Sequence, residues 1–243
     1  MKLVIELTKA PYSIVSVMYL PYIWIVIVLL FGPPGCGKGV QAAFISSRFG
    51  IPSISTGEMF RSECKAGTEL GRSACKTLSA GGLIGDDVVN AILARRIGLP
   101  EYSSGVLLDG YPRTLAQGLF LDRTLEQRGA DPVISIHLEV PFPDIVKRIT
   151  SRRQCPACSH IYNLLYQRPQ VPGVCDRDGA ALMTPEDDRE EVVWRRLRIF
   201  EEQTGPVINH YADSRYYKVD GALGPAEVSA RIEAVLQQCA VPA

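Results

Sequence analysis

The strongest chemical signal in the chain is Gly32-Pro33-Pro34-Gly35-Cys36-Gly37-Lys38-Gly39. Glycines let successive backbone N–H groups turn toward one point and come close to an anion. Lys38 adds a mobile point charge suited to outer phosphates. The element that must hold this loop is the apolar, β-branched run Ile25 to Phe31, which reads as a buried strand. Val40-Gln41-Ala42-Ala43-Phe44-Ile45 then opens a helix whose N-terminus brings partial positive charge to the same place. Strand, glycine loop, lysine and helix in that order make a phosphate-binding loop. A chance turn is the bland alternative, and it does not explain why strand, spacing and lysine agree.

Other residues carry chemistry only if elements bring them to that loop. In Ser55-Thr56-Gly57-Glu58-Met59-Phe60-Arg61, Ser55 or Thr56 can N-cap a helix with Arg61 inside it. Gly105-Val106-Leu107-Leu108-Asp109 is a short strand ending in a carboxylate suited to a magnesium water shell. Arg113 offers a bidentate fork to phosphate. Gln117, four residues on, shares its helix face by spacing and offers an amide to a base edge. A helix from Asp144 to Arg153 would likewise put Arg148 and Arg152 on one face, where two like charges need an anion. Cys155-Pro156-Ala157-Cys158 and Cys175-Asp176-Arg177-Asp178 form two knuckles able to wrap one tetrahedral Zn²⁺. Free thiols beside a hairpin are the alternative. His160 lies off register as a ligand, and His137, within the strand-like Val133 to Val140, reads as a core or edge histidine.

These stretches resemble the adenylate kinase family, in family order, over about residues 25 to 240. The loop fits Gly-x-Pro-Gly-x-Gly-Lys-Gly-Thr at every fixed place but the last, where Val40 replaces threonine. Ser55 to Arg61 is similar to the family's Ser-Thr-Gly-Asp-Met-x-Arg, with Glu58 for the commoner Asp. Asp109-Gly110-Tyr111-Pro112-Arg113-Thr114 is the most specific signature and is intact. The knuckles resemble the zinc-type lid of some bacterial members. The resemblance implies a P-loop α/β fold, a doubly wound parallel sheet with an AMP-binding arm at 55–84 and a lid at 151–188. It implies that Gly35, Cys36, Gly37, Lys38, Gly39, Val40, Arg148, Ile161 and Tyr162 meet ATP. It also implies that Thr56, Arg61, Gly82, Leu83, Ile84, Gly110, Arg113, Gln117, Arg152 and Arg196 meet AMP. Lys38, Asp109, Arg113, Arg148, Arg152 and Arg196 become the catalytic set, with Asp109 on the magnesium side. Cys155, Cys158, Cys175 and Asp178 become ligands of a structural zinc. Asp187 and Asp188 fall at the lid hinge, ahead of a helix read from Arg189 to Thr204, and Pro185 stands where the family usually has arginine. The implied reaction is ATP + AMP ⇌ 2 ADP with Mg²⁺, by a cytoplasmic monomer serving adenine nucleotide homeostasis. The rivals are a kinase for another nucleoside monophosphate and a nucleotide-binding homologue with weak catalysis.

The length of 243 residues and 47% hydrophobic content suit one α/β domain with inserts. Lys+Arg and Asp+Glu are both 26, so nothing favours bulk nucleic acid or anionic membrane as a partner. Seven cysteines, an odd count with three at metal-ligand spacing, argue for a reducing compartment over a disulfide framework. Residues 1–24 form an apolar extension ahead of the kinase core at 25–243. Ile14 to Phe31 is a marginal membrane span by length, but a span would pull the first strand out of the sheet. The extension stays open between a misassigned start codon, which we favour, a small anchor and an added surface element.

Overall fold

The computed structural model describes residues 26–79, 82–129, 133–213 and 215–239, so the extension expected at 1–24 lies outside the described residues. In chain order the elements are β1 (Val26–Phe31), α1 (Lys38–Phe49), β2 (Ser53–Ser55), α2 (Thr56–Ala66), α3 (Glu69–Ser79), α4 (Asp86–Ile97), β3 (Gly105–Asp109) and α5 (Leu115–Gln127). Then come β4 (Ile134–Glu139), α6 (Phe142–Thr150), β5 (Arg152–Gln154), β6 (Ile161–Asn163), α7 (Glu190–Ile199), α8 (Gly205–Tyr211), β7 (Arg215–Asp220) and α9 (Pro225–Gln238).

Five strands form one parallel sheet in the order β2-β3-β1-β4-β7. Parallel strands covered on both faces need continuous apolar runs, which β1 has: Ile27 to Phe31 are all buried. One face packs Val28 and Leu30 with Ile45 of α1, Ile145 and Ile149 of α6, and Ile232 of α9. The other packs Ile27 and Leu29 with Leu93 of α4, Leu121 of α5 and Val207 of α8. The chain reverses direction beside β1, so the crevice at the carboxyl ends of β1, β3 and β4 is where a ligand belongs in such a sheet. The antiparallel pair β5–β6 and the turns out to residue 183 build a separate lid.

Three element boundaries differ from the sequence reading. The helix expected from Asp144 to Arg153 is α6, ending at Thr150. Thr150 and Ser151 turn their hydroxyls back onto the carbonyls of Val146 and Lys147, and the Ser151 carbonyl accepts from Leu164 N–H of the lid. Arg152 therefore begins a strand and does not share a helix face with Arg148. Arg113 likewise precedes α5, whose N-cap is Thr114, accepting from Gln117 N–H at 3.2 Å. The helix expected from Arg189 to Thr204 is α7 followed by a π-helical stretch, Phe200–Thr204. Pro206, in the first turn of α8, cannot donate a backbone hydrogen bond, and its ring crowds the preceding turn.

Cys64 of α2 and Cys75 of α3 form a disulfide, where the cysteine count had argued against such linkages. Helix packing brings the pair together, which spacing alone did not reveal. Cys36, Cys155, Cys158, Cys175 and Cys239 are free thiols. Among the described residues no helix is long and apolar enough to cross a membrane.

Candidate active site

The loop after β1 turns on left-handed glycines. Gly35 (φ 82°) has no room for a side chain, since a Cβ there would come within 2.6 Å of Ile149 on α6. Gly37 (φ 102°) is the N-cap of α1. Lys38 Nζ donates to the carbonyls of Gly32 at 2.6 Å and Pro33 at 3.0 Å, so its ammonium lies on the loop. Cys36 is buried beneath it. A Cβ on Gly39 would meet open space, and the Val40 side chain points outward with no hydroxyl to offer.

Gly110 is the hinge of the next group. Its carbonyl accepts from Thr56 Oγ1 at 2.9 Å and from Arg113 Nε at 2.7 Å. With φ 77° and both side chains against its α-carbon, the position requires glycine. Gln117 accepts from Arg113 N–H at 2.8 Å and donates to Asp86 Oδ1 at 2.7 Å. Gln117 thus reaches Arg113 through a cap-like bond, not a shared helix face. Thr56, Gly57, Phe60, Leu83, Ile84, Gly110, Arg113 and Gln117 surround one pocket with about 340 Å³ of empty space, its open mouth included. Gly82 N–H donates to the Thr77 carbonyl of α3 at 2.9 Å.

Arginines converge beside this pocket. Burial lowers the Arg113 pKa, Asp109 raises it, and the charges of Arg196 and Arg61 lower it further. Burial likewise lowers Arg196, which donates to the backbone and carboxylate of Asp187. Arg152 makes a two-armed ion pair with buried Asp188. Burial works against the Arg152 charge, but the Asp188 hydrogen bonds outweigh it and the pKa rises. Burial pushes the Asp188 carboxyl up and Arg152 pulls it back. Like charges held this close are waiting for an anion. Arg148 stands apart: its fork grips the carbonyls of Gly221 and Ala222 at 2.8 and 2.9 Å, in the turn between β7 and α9.

Sequence reasoning missed Asp86 and Thr204. Asp86 holds both Thr114 and Gln117, and Thr204 donates to the Arg113 carbonyl at 3.1 Å. Neither lies in a recognisable motif.

In the lid, Cys155, Cys158, Cys175 and Asp178 bring their ligand atoms within 4.8 Å of one another. Cys158 Sγ and Cys175 Sγ are 3.6 Å apart, and Cys155 Sγ lies 3.2 Å from an Asp178 oxygen. Tetrahedral ligands at zinc–sulfur distances imply sulfur separations of about 3.8 Å, so the donor set fits. Tyr162 is buried in this knuckle, its hydroxyl taking Asp176 N–H and facing Cys175 Sγ. Its side chain is therefore spent inside the lid, while Ile161 remains exposed.

The family model for adenylate kinase matches residues 30–216. The chain belongs to the adenylate kinase family. It is 44% identical to the adenylate kinase of Thermosipho melanesiensis over 197 residues, covering 81% of this chain and 92% of that protein. Adenylate kinases of Anaeromyxobacter dehalogenans and Archaeoglobus fulgidus are each 41% identical, over 210 and 212 residues. These cover 86% and 87% of this chain, and 95% and 98% of theirs. The family reaction is ATP + AMP ⇌ 2 ADP.

Proposed function

We propose that this adenylate kinase acts as a monomer in the cytoplasm, with AMP in the Thr56–Gln117 pocket and ATP at the glycine loop. The observation that carries the assignment is the convergence of Arg61, Arg113, Arg152 and Arg196 beside that pocket. The Gln117 amide keeps one N–H and one oxygen lone pair beyond its two protein bonds. That donor–acceptor pair complements the base edge of adenine and favours AMP over other nucleoside monophosphates.

Phosphoryl transfer asks for alignment and charge neutralisation more than for a nucleophile. Arg61 and Arg113 hold the AMP phosphate in line. Lys38 follows the ATP outer phosphates. Arg152 and Arg196 neutralise charge on the transferring group, with Asp187 and Asp188 fixing their guanidinium planes. Asp109, at the end of β3, is the carboxylate that would hold Mg²⁺ through its water shell. When bound, Mg²⁺ supplies charge neutralisation and geometry at the phosphates. Arg148 supports the ATP site from its edge by bracing the Gly221–Ala222 turn. The zinc-knuckle residues give the small lid the staple its few apolar residues do not.

A coupled ADP-formation assay with a panel of nucleoside monophosphates tests the proposal. AMP should have the highest kcat/KM by at least about tenfold, and Gln117→Ala should erode that preference. Faster turnover of another monophosphate would overturn the base assignment. Nucleotide binding without ADP formation would favour the weakly catalytic alternative.

A further inference from the structure

The arm carries a covalent feature that the reaction does not use. Its two helices meet at a tight corner. Gly67 ends α2 in a left-handed turn (φ 64°), and Thr68 Oγ1 joins the Glu63 carboxylate to Gly71 N–H. A Cβ on Gly71 would sit 2.0 Å from the Glu63 carbonyl, so the helices cross at backbone contact. Beyond that crossing Cys64 and Cys75 face each other with α-carbons 5.6 Å apart, inside the range natural disulfides occupy. Both are half-buried, so small reagents can reach them.

The position of the pair gives it a consequence. Cys64 lies one helical turn after Arg61, which faces Arg113. Cys75 lies one turn before Leu78, a wall of the adenine pocket. A bond between them fixes the spacing between the phosphate clamp and the base wall. We propose that Cys64 and Cys75 form a thiol–disulfide exchange site for a low-molecular-weight disulfide, and that its oxidised form tightens AMP binding by holding the arm's pocket preformed. This rests on the AMP pocket proposed above.

The step balances as an exchange. One protein thiolate attacks a sulfur of the small disulfide, forming a mixed disulfide and releasing one small thiolate. The second protein thiolate attacks the protein sulfur of that bond and expels the other. The protein pair loses two electrons and two protons, and the small disulfide becomes two thiols. Preorganisation lowers the ordering cost of binding, and it does so only for the ligand the arm holds.

The test uses the full-length, zinc-loaded chain equilibrated with mixtures of reduced and oxidised glutathione. Alkylation and peptide mapping should show a Cys64–Cys75 crosslink, with Cys155, Cys158 and Cys175 in no disulfide. Calorimetric AMP titration should give a Kd about fivefold or more lower in the oxidised protein. ATP affinity should not change. Cys64→Ser and Cys75→Ser should each fix AMP affinity at the reduced value under every buffer. A mapped crosslink with unchanged AMP affinity, or a redox response that survives Cys64→Ser, would overturn the proposal. So would failure of the native chain to form the crosslink at any glutathione ratio. If neither form binds AMP although the crosslink maps, the pocket assignment itself falls, and the proposed effect with it.

Discussion

Val40 stands in the first turn of α1 with a side chain that is 59% exposed, where the family pattern has threonine. A hydroxyl there would donate to phosphate or to a magnesium-bound water. A hydrogen bond to a charged group is worth roughly 1.5–3 kcal/mol, about tenfold to a hundredfold in rate when felt in the transition state. Val40→Thr should raise kcat/KM for ATP by such a factor and leave AMP affinity alone. Unchanged ATP kinetics would mean that another group already fills the role. His137 makes a different residue-scale prediction. It is half-buried on β4, 2.7 Å from the Tyr216 hydroxyl, with Glu139, Lys218 and Lys38 around it. Burial lowers its pKa, Lys218 and Lys38 lower it further, and Glu139 opposes them. Its folded pKa lies below the unfolded value of about 6.5, so the unfolded chain binds more protons near that pH. The stability it confers is full above that value and is lost as pH falls toward the folded pKa. Melting temperature should drop more steeply between about pH 7 and 5 for the native chain than for His137→Gln.

At the scale of elements, the lid depends on its knuckles. Its own core consists of Cys155, Tyr162 and Cys175 with Ala180 and Leu182 packed on, too little apolar surface to hold a fold. Protein purified without chelator should carry about one zinc per chain. Chelation, or Cys158→Ala, should melt the lid before the parallel sheet and weaken ATP binding before AMP binding, read by calorimetry. A metal-free native protein with the same melting profile would refute the structural role. The knuckles were legible in the sequence because ligand spacing is local, as were the glycine loop and Asp109 to Thr114. What sequence misplaced depends on contacts between elements. Arg152 left its helix because Leu164 N–H captures the Ser151 carbonyl. Thr204 reached Arg113 through a π-helical stretch that Pro206 makes understandable only in retrospect. The Cys64–Cys75 pair awaited the crossing of α2 and α3 at Gly71.

For the molecule as a whole, the arm and the lid touch each other across the crevice. Lys65 Nζ, in the last turn of α2, donates to Oγ of Ser159, the residue after Cys158 in the lid, at 3.1 Å. On the arm's other helix, α3 approaches the Glu186–Asp188 turn that anchors Arg152 and Arg196. Each contact exists only when both inserts lie over the sheet. A ligand that favours the closed arm therefore favours the closed lid, and AMP and ATP should raise each other's affinity by one shared factor. The Lys65–Ser159 bond is exposed, so its net worth is small, on the order of 0.5–1 kcal/mol. Lys65→Ala should reduce the coupling by about twofold to fivefold. The measurement is the Kd for AMP with and without a non-hydrolysable ATP analogue, paired with the reverse titration. Binding of either nucleotide alone should barely move, because Lys65 belongs to neither site. If the ratio of the two AMP constants is the same in Lys65→Ala as in the native chain, the inserts close independently and this contact carries no coupling.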